Sequence, residues 1–214
     1  AETVVAGGME NLSQSPHVLR DERTTYKLGR SPRKGEEIPR DMEDYFFTNL
    51  RDDVCGYFMA QTSDELCKML DVSREDADSF AALSHQRAEN SIRNGIWEDE
   101  IVEVITPDGV LGSSHDDHVV IGTTIESLSG LRTHFGPDSL VTAGNASGVV
   151  DGAAAIVVKS GARAKSDGDS PLSRIISWGI VGLDPKIMAH GPVPSSNLAL
   201  QKAGLKVEDI DLWE

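Results

Sequence analysis

Cysteine and basic residues are scarce in this sequence. Its 214 residues include two cysteines, Cys55 and Cys67, which are too few for a disulfide framework and fit a reducing compartment. The 20 lysines and arginines are outnumbered by 35 acidic residues, which gives a formal net charge of −15. Because a nucleic acid or an anionic membrane surface binds to a basic face, this balance argues against both as partners.

Long apolar runs are also missing. No run approaches the roughly 18 residues that a membrane span requires, and no secretory signal opens the sequence. A cytoplasmic location is therefore expected. The sequence begins without Met on AETVVAGG and closes on the strand-like DLWE, so both ends look cut, and we expect an internal segment of a longer protein.

The segment Val141–Ser160 combines small residues with an apolar strand pattern. Gly144, Gly148 and Gly152 recur at every fourth position, and the apolar run Ala153–Val158 follows, which predicts a strand buried on both faces. Small residues before a strand suit either a narrow passage in which a ligand touches the backbone, or tight sheet packing alone. The segment by itself leaves both interpretations open.

Helix and strand patterns alternate along the chain. Ser73 with Asp76, and Thr62 with Glu65, are capping-box signatures that predict two helix starts. The first helix is expected to bury Ala77, Phe80, Ala81, Ser84, Ala88 and Ile92, and the second Leu66, Met69 and Leu70. Strands are predicted at Thr3–Ala6, Leu172–Ser177 and Asp209–Trp213, and a helix at Ser195–Ala203 that ends at Gly204. This alternation favours an α/β fold.

The stretch VTAGNASG, followed by a DGAAA strand, resembles the motif before the last strand of the N-terminal half of thiolases. Four further stretches match that family in the same order: AGGMEN, SREDADSFAALSHQRA, SWGIVGLDPKIM and GPVPSSNLALQKAGLKVEDIDLWE. The resemblance implies a partial, layered α/β/α thiolase-like fold with an inserted α-rich loop domain. Residues 1–11 then correspond to the late N-terminal half, 12–136 to the loop domain, 137–160 to the return strand and 172–214 to the start of the C-terminal half.

The resemblance also implies an acyltransferase that acts on acetyl-CoA or 3-oxoacyl-CoA. Thiolases perform Claisen condensation or thiolysis through a cysteine acyl-enzyme. The nucleophile of the family lies upstream of the stretch that matches Ala1, and its NEAF, GHP and second cysteine motifs lie beyond Glu214, so no catalytic residue is expected in this chain. Coenzyme A is a substrate, no cofactor is implied, and a homodimer or homotetramer is the implied assembly.

Six residues match substrate-binding positions of the family. Ser147 matches the serine that contacts coenzyme A, with Ala143 and Ala146 as small walls of the same passage. Ser127 matches a loop-domain serine near the nucleotide, and Met59 matches a methionine that lines the acyl tunnel. Phe58 stands where many biosynthetic members have histidine, which predicts a more apolar pocket for a longer acyl chain.

Other interpretations compete at several positions. The stretch from His115 to His118 has a metal-like composition, but a solvated acidic loop is the favoured interpretation and no metal is predicted. Cys55 and Cys67 are expected to be unreactive packing residues rather than nucleophiles. For the whole chain, the alternative to an enzyme segment is a non-catalytic coenzyme A-binding or assembly module, or a truncated inactive fragment.

Overall fold

The computed structural model describes residues 1–19, 42–107, 109–111, 116 and 118–214. Strands are β1 (Thr3–Glu10), β2 (His17–Leu19), β3 (Met42–Asp44), β4 (Val104–Thr106), β5 (Gly109–Leu111) and β6 (Gly152–Lys159). Helices are α1 (Tyr45–Asn49), α2 (Met59–Leu70), α3 (Arg74–Arg93), α4 (Ile125–Ser129), α5 (Gly161–Asp167) and α6 (Pro192–Ala203). Short 3-10 helices occupy Leu12–Gln14, Pro185–His190 and Val207–Asp209. The chain divides into a first unit, Ala1–Met59 with Val149–Glu214, and a second unit, Ala60–Gly148.

The longest strands, β1 and β6, form an antiparallel pair in the first unit. Both strands occur where the sequence predicts them. Strand β1 continues through Gly7, where an added Cβ would lie 2.8 Å from the Ala154 carbonyl oxygen. The prediction that β6 is buried on both faces is wrong, because Ile156 and Val157 are 60% and 64% exposed. Within the described residues this sheet has two strands, so its β-branched side chains lack a covering layer.

The two strands predicted late in the chain are absent. Residues 172–177 carry no strand pairing, and Val207–Asp209 forms a 3-10 helix instead of leading into a strand. An extended, β-branched segment becomes a strand only when its backbone groups pair with a neighbour, and these residues have no such pairing among the described residues. The helix prediction is confirmed, since α6 ends at Gly204 with a left-handed φ of +70°, although α6 begins earlier, at Pro192.

Helix α3 dominates the second unit and begins as predicted. The Ser73 side chain accepts from the Asp76 backbone, and the Asp76 side chain accepts from the Ser73 backbone, which completes a capping box. The predicted apolar face is only partly correct, since Phe80 is 73% exposed. The buried residues of α3 are Asp78, Ala81, Ala82 and Glu89, so the inward face of this helix is largely polar.

The prediction that Thr62 and Glu65 form a capping box is wrong. Helix α2 begins at Met59, and Thr62 is a buried residue inside the helix. Met, Ala and Gln are strong helix formers, so residues 59–61 extend the helix upstream of the local capping signal. Met69 and Leu70, predicted to face inward, are more than half exposed.

The small apolar core of the second unit is formed by Ala81, Ala82 and Leu128, where α3 packs against α4. No helix among the described residues has the length and apolar character needed to cross a membrane.

Candidate functional site

The loop of residues 140–148 carries three of the predicted binding residues, and Asn145 shapes it. The Asn145 Oδ1 accepts a hydrogen bond from the Thr142 backbone N–H at 2.8 Å, and the Asn145 backbone N–H donates to the Thr142 carbonyl at 3.4 Å. The Asn145 Nδ2 donates to the Leu140 carbonyl at 2.8 Å. The Asn145 side chain therefore closes the turn and satisfies two backbone groups of the segment that leads into it.

Two buried carboxylates attach this loop to the helices. Asp64 of α2 accepts from the Leu140 backbone N–H at 2.8 Å, and Asp78 of α3 accepts from the Asn145 Nδ2 at 3.1 Å. Asp64 and Asp78 are 7% and 1% exposed. Since a buried carboxylate is tolerated only when its oxygens are hydrogen-bonded, these contacts stabilise the acids and the loop together.

Arg74 extends the same contacts to α4. Its Nε donates to the second oxygen of Asp78 at 2.7 Å. Its Nη2 donates to the carbonyl oxygens of Leu128, at 2.8 Å, and Leu131, at 3.2 Å. The loop of residues 140–148 and the end of α4 are thus held by one buried ion pair on α3. Sequence reasoning missed this ion pair, although opposite charges at i and i+4 are a visible helix signal.

Packing requires one glycine of the loop. A Cβ added to Gly144 would overlap the side chain of Leu128, which is buried, and lie 2.6 Å from the Leu131 Cδ1. A Cβ on Gly148 would overlap the imidazole of His118, an exposed side chain that can rotate away. Gly152 has nothing within 4 Å of an added Cβ. Tight packing therefore explains Gly144 but not the whole small-residue pattern.

Ala143, Ala146 and Ser147 are exposed on this loop. Ser147 makes no hydrogen bond within the part of the chain that the structure describes. Its hydroxyl is therefore available both as a donor and as an acceptor. It follows Asn145, the residue that anchors the turn, by two positions.

Ser127 is exposed, but its hydroxyl is already engaged. It accepts from the Thr124 backbone N–H at 3.1 Å and donates to the Thr124 carbonyl at 2.8 Å, as the third residue of the α4 capping box. Because its only proton is used, Ser127 can meet a ligand only as a hydrogen-bond acceptor.

Phe58 and Met59 belong to the first unit, so the local geometry of the second unit does not include them. Phe58 is half-buried and forms a β-bridge with Arg51. The Met59 backbone N–H donates to the Leu50 carbonyl at 3.0 Å, and its side chain is 48% exposed at the start of α2. Ser127, Ala143, Ala146 and Ser147 lie in the second unit on two segments that the Arg74–Asp78 pair holds.

The two cysteines have different surroundings. Burial, together with the nearby charge of Asp64, raises the pKa of the Cys67 thiol above its ordinary value. A thiol with a raised pKa is protonated at neutral pH and is a poor nucleophile. The Cys55 backbone N–H donates to Asp52 at 2.8 Å in a turn, which is a structural role for that segment.

No group of three His, Cys, Asp or Glu side chains suited to a metal ion occurs among the described residues. His115 and Asp117, from the metal-like stretch, lie outside them. What the second unit offers is an exposed hydroxyl and two small side chains on an anchored loop.

Comparison with known proteins identifies the family. Residues 1–162 match the family described as "Thiolase, N-terminal domain", and residues 169–214 match "Thiolase, C-terminal domain". The chain is 39% identical over 216 residues to the acetyl-CoA acetyltransferase of Shinella zoogloeoides, covering 100% of this chain and 53% of that protein. It is also 39% identical over 216 residues to the mitochondrial 3-ketoacyl-CoA thiolase of Homo sapiens, covering 100% and 52%.

Solved structures agree with this assignment. The human mitochondrial 3-ketoacyl-CoA thiolase in complex with CoA superposes with a TM-score of 0.83 at 37% identity, covering 99% of this chain and 51% of that one. The predicted partial α/β thiolase fold is therefore confirmed. The chain spans about half the length of the relatives it matches. With both family profiles matched in order along its length, the chain belongs to the thiolase family.

Proposed function

We propose that this chain is the substrate-binding part of a thiolase-type acyltransferase that acts on acetyl-CoA or a 3-oxoacyl-CoA. Its relatives include proteins named acetyl-CoA acetyltransferase and 3-ketoacyl-CoA thiolase, which supports the reaction class. The observation that carries the proposal is the exposed hydroxyl of Ser147, which makes no hydrogen bond to the described residues, on a loop anchored by buried polar contacts. The nucleophilic cysteine is proposed to lie outside these 214 residues.

In this proposal the chain binds the coenzyme and performs no bond-making step. The pantetheine arm of coenzyme A is thin and carries amide groups. Ala143 and Ala146 leave room for it, and the Ser147 hydroxyl exchanges a hydrogen bond with one of its amides. Such a contact is equally strong in the ground state and the transition state, so it contributes uniform binding. Coenzyme A is accordingly a substrate in this proposal, and no further cofactor is invoked.

The roles of the remaining segments are proposed from the same family assignment. We assign residues 12–136 to the inserted loop domain, residues 1–11 and 137–160 to the N-terminal half and residues 172–214 to the C-terminal half. We further propose a cytoplasmic homodimer or homotetramer. The bacterial relatives support a cytoplasmic location. The human mitochondrial relative has the same sequence identity to this chain, so a mitochondrial location is the alternative.

The gene around this sequence tests the reaction class directly. A cysteine in a CGSG-like turn upstream of Ala1, and an NEAF motif immediately after Glu214, are the expected findings. A stop codon directly after Glu214 would overturn the enzyme proposal and favour a non-catalytic coenzyme-binding module.

Replacing Ser147 with alanine is expected to weaken coenzyme A binding about fivefold, which corresponds to the loss of one hydrogen bond. The Michaelis constant for the acyl-CoA should rise while turnover stays nearly constant, because the contact is uniform. Both quantities are measured in the full-length protein that supplies the flanking halves, by calorimetric titration with coenzyme A and by steady-state thiolysis. Ser84→Ala, at an exposed serine of α3, is the matched control and should change neither. A collapse of turnover with an unchanged Michaelis constant would contradict the binding role.

Replacing Phe58 with histidine is expected to shift the preference toward short acyl chains by about fivefold in kcat/KM. The imidazole donates a hydrogen bond that phenylalanine lacks, and it makes the surroundings more polar. The measurement is a series of acyl-CoA substrates of increasing chain length. Phe47→His, at a half-exposed phenylalanine of α1, is the control. An unaltered chain-length profile for Phe58→His would remove this residue from the pocket.

A further inference from the structure

The Asn145 amide is fully engaged between the loop of residues 140–148 and helix α3. Its oxygen accepts from Thr142, and its two N–H groups donate to Leu140 and to Asp78. An amide side chain offers two donors, and both are used here. Asn145 therefore connects the loop to α3, a helix of 20 residues.

Asp78 is itself fixed. It is 1% exposed, and its second oxygen accepts from the Arg74 Nε at 2.7 Å. Charge-assisted hydrogen bonds of this kind are stronger and more directional than neutral ones. Since both carboxylate oxygens are engaged, the oxygen that meets Asn145 has a defined position relative to the helix.

Beyond Asn145 the loop is exposed. None of the side chains of residues 146–148 donates or accepts a hydrogen bond to the described residues. Gly148 lies beside the His118 imidazole. The last polar side-chain anchor before Ser147 is thus Asn145, two positions away.

We propose that Asp78 and Asn145 are positioning residues for Ser147, which hold its hydroxyl where coenzyme A meets it. This inference rests on the proposed function of Ser147. A preorganised hydroxyl binds its ligand without the entropic cost of ordering the loop, and a loosened one loses part of its hydrogen bond. Asp78 and Asn145 act through the loop and touch no substrate.

The primary variant is Asn145→Ala. The φ of Asn145 lies outside the left-handed region, so alanine adopts the same backbone without strain. The expected result is about fourfold weaker binding of coenzyme A, which is within the roughly fivefold loss expected from removing the Ser147 hydroxyl itself, measured by calorimetric titration of the expressed protein below its melting temperature. In a Ser147→Ala background the same change should weaken binding less than about twofold, because the group that Asn145 positions is already absent.

Two further variants keep the test decisive. Asp78→Asn preserves the shape of the side chain and the hydrogen bonds of Asn145 to Leu140 and Thr142. It replaces Asn145→Ala in the experiment if that variant does not fold, and it should likewise weaken coenzyme A binding less in the Ser147→Ala background than in the wild type. Ser73→Ala removes the cap of α3 without touching the loop, so it should lower the melting temperature and leave coenzyme binding unchanged.

The outcomes distinguish the positioning role from the binding role. Equal losses in the wild-type and Ser147→Ala backgrounds, or wild-type affinity in a folded Asn145→Ala protein, would overturn the positioning role while leaving coenzyme binding intact. Failure of the unaltered protein to bind coenzyme A would instead overturn the proposed function itself, and the positioning role with it.

Discussion

Replacing Arg74 with methionine is expected to lower the free energy of unfolding by about 3 kcal/mol, because it leaves a buried carboxylate without its cation. Asp78 is 1% exposed and depends on the Arg74 Nε at 2.7 Å. Methionine retains the aliphatic bulk of arginine but also removes the donors to the Leu128 and Leu131 carbonyls. Urea denaturation followed by circular dichroism measures the loss.

Helix α3 provides its own control for this prediction. Arg93 forms an ion pair with Glu89 at the same i, i+4 spacing on the same helix, but the Arg93 side chain is 67% exposed where that of Arg74 is 25% exposed. The Glu89 carboxylate is buried like that of Asp78, at 8% exposure, and it also accepts from the Gly122 backbone N–H at 2.9 Å. Since the two pairs differ mainly in the exposure of the arginine, and an ion pair that water reaches is worth about 1 kcal/mol, Arg93→Met should cost less than Arg74→Met. Equal losses in the two variants would show that burial of the arginine does not set the strength of the Arg74–Asp78 pair.

Replacing Gly179 with alanine is also expected to cost about 3 kcal/mol in the free energy of unfolding. An added Cβ would overlap the Ser195 carbonyl oxygen and lie 2.9 Å from the Ser195 carbonyl carbon and 3.2 Å from the Ala199 nitrogen. All three atoms are backbone of α6, so no side-chain rotation relieves the overlap. The helix must shift, which would also disturb the bond from the Ser177 hydroxyl to the Ala199 carbonyl, 2.7 Å long.

Gly182 is the matched position for that experiment. It lies three residues further along the same segment, and an added Cβ would have nothing within 4 Å. Gly182→Ala should therefore leave stability unchanged or raise it by about 0.5 kcal/mol through the unfolded state. Thermal denaturation of both variants measures the difference. Equal melting temperatures would show that α6 does not pack on Gly179 as described.

Sequence reasoning succeeded where the signal is local. The Ser73–Asp76 capping box and the Gly204 helix end each depend on residues a few positions apart, and both are confirmed. The same motif at Thr62 failed because strong helix formers precede it. The strand predicted at residues 172–177 failed because strand formation depends on a partner, which the segment's own composition does not specify.

The candidate site shows the same division. Ser147 and Ser127 came from motif resemblance, and their exposure is consistent with a binding role that remains a prediction. The Asp78–Asn145 contact joins residues 67 positions apart, so no local pattern could reveal it. Asp78 was missed because helical periodicity alone treats a charged residue as solvent-facing, whereas here a hydrogen-bonding partner makes its burial possible.

If these 214 residues are produced as an isolated polypeptide, the exposed faces of β1 and β6 are expected to affect its behaviour in concentrated solution. Exposed strands with β-branched side chains such as Ile156 and Val157 associate with one another unless the molecules repel each other. Mutual repulsion from the net charge of −15 performs that task at long range. Dissolved salt shortens the range of this repulsion to about 10 Å at 0.1 M. Association through these strands is therefore expected to increase with ionic strength.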